Sequence, residues 1–584
     1  MLADHADYSP EESEYFMWRW QWRRRVAIAQ GQYAPALSIR GGRVLNVFTG
    51  ELVEADVAID AGVVVALGSF PEARHVIDAT GLVVAPSLID AHLHLESTML
   101  WPPALAAAVV PHGTGTIITD PHELANVGGL PAVSALHSAI AGLPLDIRLT
   151  APSCVPASHL ETPGADYTLE DIETILGWNE TVSLGEMMNF PGVLGADIDI
   201  AARLWAGRGK PLDGHAPGLR GRPLQAYIAA GMDSDHESVT LEEAREKLEA
   251  GLFILIREGS SEKNLEELLP LVTDQTWHRI AFCSDDRDAH DLTTHGHMDA
   301  TLRRAVSLGL PPIRALQMAT WNPAQQWRLG KVGAVAPGYT ANLITLSDLG
   351  DMTVEHTIHQ GRLVAERGVL IEPISESPVP QALLDTVHMA PLRLSNLALP
   401  TELRDRAVGV VPNQIVTTMV DLSAEPLPEP DQFSVERDLA KMICVDRHHA
   451  SGRLGVGLVR GFSLQRGALA SSVAHDAHNI VCVGVSDPDI LGAVATVATL
   501  GGGLAVVADG QVLAHLPLPI AGLFSDQGAE ATAAGFAEVE QAAKSLGCKL
   551  ASPFGQLAFL ALSVIPEARI SDMGFLDLRL PAGS

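Results

Sequence analysis

The 584-residue sequence predicts an α/β protein: a (β/α)8 TIM-type barrel inserted in a small β-sandwich domain, plus an extra C-terminal α+β domain. Three observations carry this expectation. Between residues 83 and 330, eight apolar strand candidates recur at intervals of roughly 20 to 35 residues, with helical pattern between them. Short Val/Ile/Leu runs broken by Gly and Asn turns flank that stretch at 36–82 and again at 331–372, as one β domain interrupted by an insertion would. A polar, Pro-containing linker at 373–394 then leads to a Gly-rich strand-and-turn segment, 395–584. A chain of this length exceeds what one hydrophobic core organises.

Taken in order, residues 1–35 hold "SPEESEYFMWRWQWRRRVAIAQ", which reads as an amphipathic helix with Ser9 as N-cap and Pro10 in its first turn. Its Trp18, Trp20 and Trp22 point to packing or a subunit contact, hence a homo-oligomer, with a dimer as the guess. The barrel strands are expected at 82–89, 115–119, 146–150, 181–186, 210–215, 232–237, 252–258 and 279–284. The fifth and sixth are weak as strands and rest on spacing alone. In the last segment, "SDQGAEATAAGFAEVEQAAKSLG" reads as a helix.

Chemistry in such a barrel sits at the C-terminal ends of the strands. There the sequence places His92 and His94, Glu186, His215, His236 and Asp285. Alternate residues of a strand share a face, so His92 and His94 point the same way, as two ligands of one cation must. Four neutral imidazoles and two carboxylates suit a pair of borderline divalent ions such as Mn2+, Fe2+ or Zn2+. A single His at a strand end is more often structural, and H-x-H alone is weak among 22 histidines. Six such residues on five strand ends make a stronger case.

Composition narrows the partners. Asp and Glu number 70 against 39 Lys and Arg, a net charge of −31, which disfavours nucleic acid and anionic membranes. No run reaches the roughly 18 apolar residues of a membrane span. The five cysteines are scattered and form no C-x-x-C pair, which fits a reducing cytoplasm. The same absence sets aside the zinc cytidine-type deaminases, although His94-Leu95-Glu96 matches their H-x-E.

The strand-end pattern resembles the amidohydrolase superfamily, including "ATWNPAQQWRLGKVGAVAPGYTANLI" after the last barrel helix. No lysine lies between Glu96 and Lys210, so Glu186 is the only candidate for a bridge after strand 4. "DAHLHLESTML", "TDPHELANVGG", "SLGEMMNFPGV" and "SVAHDAHNIV" resemble the bacterial adenine deaminase family. That resemblance implies deamination of adenine to hypoxanthine and ammonia in purine salvage, by a metal-activated hydroxide attacking C6. It implies two divalent ions, Mn2+ foremost and Fe2+ or Zn2+ as alternatives. His92, His94 and Asp285 would hold one, His215 and His236 the other, with Glu186 bridging and Asp285 as general base. Glu96, His122, Glu123 and Ser260 are expected at the substrate or as additional ligands. His475, Asp476 and His478 are expected in a lid over the barrel mouth. The alternatives are a cyclic-amide hydrolase of the same superfamily, which the missing lysine disfavours, and an inactive metal-binding relative.

Overall fold

The computed structural model describes residues 10–412 and 414–579. Ser9 lies outside them. The first helix is Pro10–Ala29. Ala27 and Ile28 at its end are buried, whereas Trp18, Trp20 and Trp22 are 55%, 60% and 50% exposed. The expected amphipathic packing is therefore absent from the aromatic half. Trp18 and Trp22, four residues apart, stack on one outward face with ring centroids 6.1 Å apart, while Trp20 points to the other side of the helix. Arg24 anchors the other half, donating from Nε to Asp60 Oδ2 at 2.7 Å.

The β-sandwich draws on both sides of the insertion. A four-stranded sheet runs in the order Val63–Gly68, Asp56–Asp60, Leu37–Arg40, His75–Asp78. In the seven-stranded sheet, Val83–Pro86 lies between Arg43–Asn46 and Leu343–Leu346. Ile39, Val57, Val84, Leu343 and Ile358 share one core between the sheets. The strand expected at 82–89 is therefore two. Ser87 N still donates to Asn342 O in the sandwich, and Leu88 N already donates to Gly113 O in the barrel. Pro86 has no N–H to carry a ladder onward, so the change of partner falls just after it.

The eight barrel strands are Leu88–Leu93, Thr114–Thr119, Asp146–Ala151, Thr181–Met187, Leu212–Gly214, Ser234–Asp235, Phe253–Arg257 and Ile280–Cys283. The first five form one parallel run and the last three another. Backbone bonds join the runs: Asp233 N to Leu212 O at 2.9 Å, and, at the seam between strands 8 and 1, Asp285 N to His92 O at 2.9 Å and His94 N to Asp285 O at 3.0 Å. The fifth and sixth strands are only three and two residues long, which explains their faint sequence signal. Gly214 is required there, since a Cβ would collide with the carbonyl oxygen of Ser234.

Ala91, Ile118, Phe253, Leu255, Ala281, Cys283 and Trp327 cluster with Val182. Strands on opposite sides of a barrel meet only through its interior, so these residues form its apolar floor. Trp327 Nε1–H donates to Ala91 O at 2.9 Å.

The C-terminal segment folds around an eight-stranded sheet that runs from Thr417–Asp421 at one edge to Gln511–Pro517 at the other. Helix Ala529–Ser545 packs against it where the sequence predicts one. Between the strands Ala468–Ser471 and Ile480–Gly484, the loop 472–479 reaches the barrel. Asn479 Nδ2 donates to Thr162 O at 3.0 Å, and Thr162 N donates to Asp572 Oδ1 at 3.0 Å. No helix among the described residues is long and apolar enough to cross a membrane.

Asp90 ties the seam together. Its carboxylate accepts from Ser284 N at 3.0 Å and Ser284 Oγ at 2.5 Å, and it faces His297 Nε2 at 2.8 Å, all buried. Asp90→Ala leaves those groups without a partner and is expected to cost about 3 kcal/mol. A thermal unfolding midpoint unchanged from the parent would contradict this role for the seam.

Candidate metal centre

His92 lies at the end of the first strand and His94 just past it, where the seam with Asp285 fixes their backbone. Asp285 itself has φ of 57°, a left-handed conformation that is costly for a non-glycine residue and is held here by the flanking bonds on either side. Glu186 is in the fourth strand, and its N–H donates to Asp120 Oδ2 at 2.8 Å. Gly185 makes room for that carboxylate, because a Cβ there would run into it. His215 follows the fifth strand, its N–H donating to Tyr227 Oη at 3.0 Å, and His236 follows the sixth.

The six converge. Glu186 Oε1 lies 3.2 Å from His94 Nε2, while Glu186 Oε2 lies 2.6 Å from His215 Nδ1 and 3.2 Å from His236 Nε2. Asp285 Oδ1 lies 3.3 Å from His94 Nε2 and 3.6 Å from His92 Nε2. All six are buried. His92, His94 and Glu186 form one group able to hold an ion, and Glu186, His215 and His236 form another, with Glu186 common to both.

Tautomers decide whether cations fit. His94 Nδ1 lies 3.1 Å from the carbonyl oxygen of Asp120, which can only accept, so Nδ1 carries the proton. His92 Nδ1 faces Asp213 Oδ2 at 2.9 Å with the same consequence. Both Nε2 lone pairs therefore point at carboxylate oxygens. The ring nitrogens of His236 and Nε2 of His215 are buried without hydrogen-bond partners. Lone pair against lone pair is repulsive unless a proton or a cation lies between, so the donor set fits divalent ions. The electrostatics run the same way. Burial would lower the His94 pKa, but Asp285 and Glu186 together outweigh it and hold it well above the ordinary value. Against the same burial, Glu186 and Asp285 raise His236 to about 10.

A further layer has no clear sequence signal. Arg257 Nη1 donates to Asp285 Oδ2 at 2.7 Å and to Glu237 Oε1 at 2.6 Å. Glu237 Oε1 also lies 3.6 Å from His236 Nε2. Asp213 lies two residues before His215, on the same face of the fifth strand.

At the second strand end, His122 Nδ1 lies 3.5 Å from Glu186 Oε1, and His122 Nε2 lies 3.5 Å from Asp476 Oδ1. Glu123 Oε1 lies 2.7 Å from His475 Nδ1, and Glu123 Oε2 lies 3.2 Å from His478 Nε2. The loop expected as a lid thus meets the barrel within the same chain. Glu96 Oε1 accepts from Leu124 N at 3.0 Å, capping helix His122–Ala139 from another strand end. Burial first, and then the charge of Glu123, push Glu96 up to about 7. Ser260 borders a cavity with Ser97, Asp286, His475 and Phe559. Its hydroxyl, however, is engaged with Asp291 Oδ2 at 2.8 Å and Asp288 N at 3.1 Å.

With this geometry in view, comparison with known proteins is specific. Residues 83–364 match the amidohydrolase family, and residues 414–580 match the adenine deaminase C-terminal domain. The chain is 46% identical over 558 residues to an adenine deaminase of Dehalococcoides mccartyi, covering 95% of this chain and 97% of that one. It is 43% identical over 557 residues to an adenine deaminase of Oleidesulfovibrio alaskensis, covering 95% and 97%. An adenine deaminase of Halalkalibacterium halodurans is 40% identical over 567 residues, with 95% and 96% covered.

Asp213→Ala removes the acceptor that fixes the His92 tautomer. Divalent-metal affinity is expected to fall about 10- to 100-fold, read by competition with a chelating dye. Unchanged affinity would sever the link between Asp213 and the centre.

Proposed function

The chain belongs to the adenine deaminase family of amidohydrolases, and from that premise we propose how its residues carry out the family's reaction. Adenine and water give hypoxanthine and ammonia, with the C6–N6 bond broken and a C6–O bond made. The observation that supports this site for it is Glu186, whose two oxygens face His94 on one side and His215 and His236 on the other. His92, His94 and Asp285 would hold one divalent ion and His215 and His236 a second, with Glu186 shared. Manganese is the first choice, and iron or zinc suits the same donors. Bound there, such ions supply Lewis-acid activation of water at neutral pH.

The remaining work falls to the protein. Asp285 Oδ1 faces the centre and Oδ2 is held by Arg257, so one oxygen is free to take a proton from the attacking water and pass it to the departing amine. Electron density moves onto the purine ring as C6 is attacked, and a donor must meet a ring nitrogen. Glu96, pushed up to about 7, is assigned as that donor, with the Glu123 carboxylate beside it at the same edge of the substrate. Loop 472–479 closes over them and excludes bulk water. Five buried, unpaired cysteines suit a reducing cytoplasm, where the reaction would serve purine salvage. A homodimer completes this reading.

The test is reconstitution. Protein stripped of metal and reloaded with manganese is expected to convert adenine to hypoxanthine with about two ions per chain, followed by ultraviolet absorbance and metal analysis. Glu186→Gln is expected to lose activity together with at least one metal equivalent. Full turnover with both ions retained in that variant would remove the bridge.

A further inference from the structure

Glu123, His475 and His478 bring three ligand atoms within 4.8 Å of one another, all buried, which at first suggests another cation site. The tautomer of His478 excludes it. The backbone N–H of Ala474, which can only donate, gives its hydrogen to His478 Nδ1 at 3.0 Å. Nδ1 is therefore the acceptor, and Nε2 carries the proton. A nitrogen bearing a proton has no lone pair for a metal. It has instead a hydrogen to donate, and what faces it at 3.2 Å is Glu123 Oε2. This is the reverse of His92 and His94, whose Nδ1 atoms face acceptors and whose Nε2 atoms are left free.

We propose that His478 and His475 are positioning residues of the C-terminal domain, which hold the Glu123 carboxylate of the barrel aimed at the substrate. The proposal rests on the deaminase reading above and assigns the added domain a part in catalysis beyond covering the site. His475 Nδ1 lies 2.7 Å from Glu123 Oε1 and His478 Nε2 lies 3.2 Å from Oε2, so each carboxylate oxygen has one imidazole against it.

The grip is rigid. His478 N donates to Ala474 O at 2.8 Å, closing the loop in the opposite sense to the bond from Ala474 N. Arg447 Nε donates to His478 O, and His448 Nε2 lies 2.7 Å from Ala477 O. The segment "VDRHHA", which the barrel chemistry does not use, thus buttresses the loop. The His475 ring stacks on Phe559 at 4.7 Å and 11°, fixing its plane. Burial lowers the His478 pKa, in keeping with a neutral, singly protonated ring.

A double-mutant cycle on the full-length, manganese-loaded chain tests this. His478→Ala and Glu123→Gln are each expected to lower kcat/KM for adenine by about 10- to 100-fold, the range for a hydrogen bond to a charged group, with metal content unchanged. The double variant is expected to be no worse than Glu123→Gln alone, because the histidine acts through the glutamate. His478→Gln, whose amide nitrogen takes the place of Nε2, is expected to recover part of the loss. Additive losses in the cycle, or His478→Ala turning over adenine like the parent, would overturn the proposal. The same cycle read by thermal midpoint reports the contact itself, and independent effects there would also overturn it. A parent chain that binds manganese but leaves adenine untouched would count against the reaction and not against the contact.

Discussion

Imidazole lone pairs and carboxylate oxygens repel when nothing lies between them, and the mouth of this barrel forces many of them together. Glu186 alone faces His94, His122, His215 and His236 within 3.5 Å. The arrangement is tolerable only with positive charge in the middle, supplied by protons or by metal ions. Much else follows from keeping those nitrogens pointed inward. Asp213 and the Asp120 carbonyl set two tautomers, Asp120 also pins the Glu186 backbone, and the strand 8–strand 1 seam orients His92, His94 and Asp285 together.

Around the inner set lies a belt of opposite charge. Arg257 joins Asp285 to Glu237, while Lys247, fully buried, joins Asp235 to Glu243 directly behind His236. Each ion here gives up hydration, and only a full complement of partners makes that bearable. The centre is therefore stiff, as a site must be whose work is to hold reacting atoms in line. The C-terminal loop belongs to the same belt. It brings two imidazoles to Glu123 at the end of the second barrel strand, which lies fully buried beneath them.

What the sequence revealed and what it withheld have physical reasons. Six strand ends announced themselves because a buried parallel strand is a continuous apolar run that stops abruptly at a polar residue. The fifth and sixth strands did not, since segments such as Leu212–Gly214 and Ser234–Asp235 are too short to show a period. The divided strand at 82–89 was read as one because two successive strands of a chain look alike until their partners are known. Asp213, Glu237 and Arg257 owe their roles to neighbours 20 to more than 100 residues away, which spacing cannot express. Loop 472–479 was conspicuous for its histidines, yet only the fold shows that they meet Glu123. The tryptophans of the first helix suggest packing or a subunit contact; within the single chain they are exposed, which leaves the packing half of that expectation unmet.

The seven-stranded sheet of the sandwich carries a consequence for how the molecule comes into being. Its strand Val83–Pro86 is made early, but one of its two neighbours, Leu343–Leu346, leaves the ribosome only after the entire barrel has been synthesised. Until then the nascent chain carries an unfinished edge beside Arg43–Asn46, directly ahead of the segment that bears His92. Pairings of such long range are slow to form and open to intermolecular strand exchange while they wait. Once made, the clasp holds the entrance and exit of the barrel side by side, so that fraying at one end is opposed through the other.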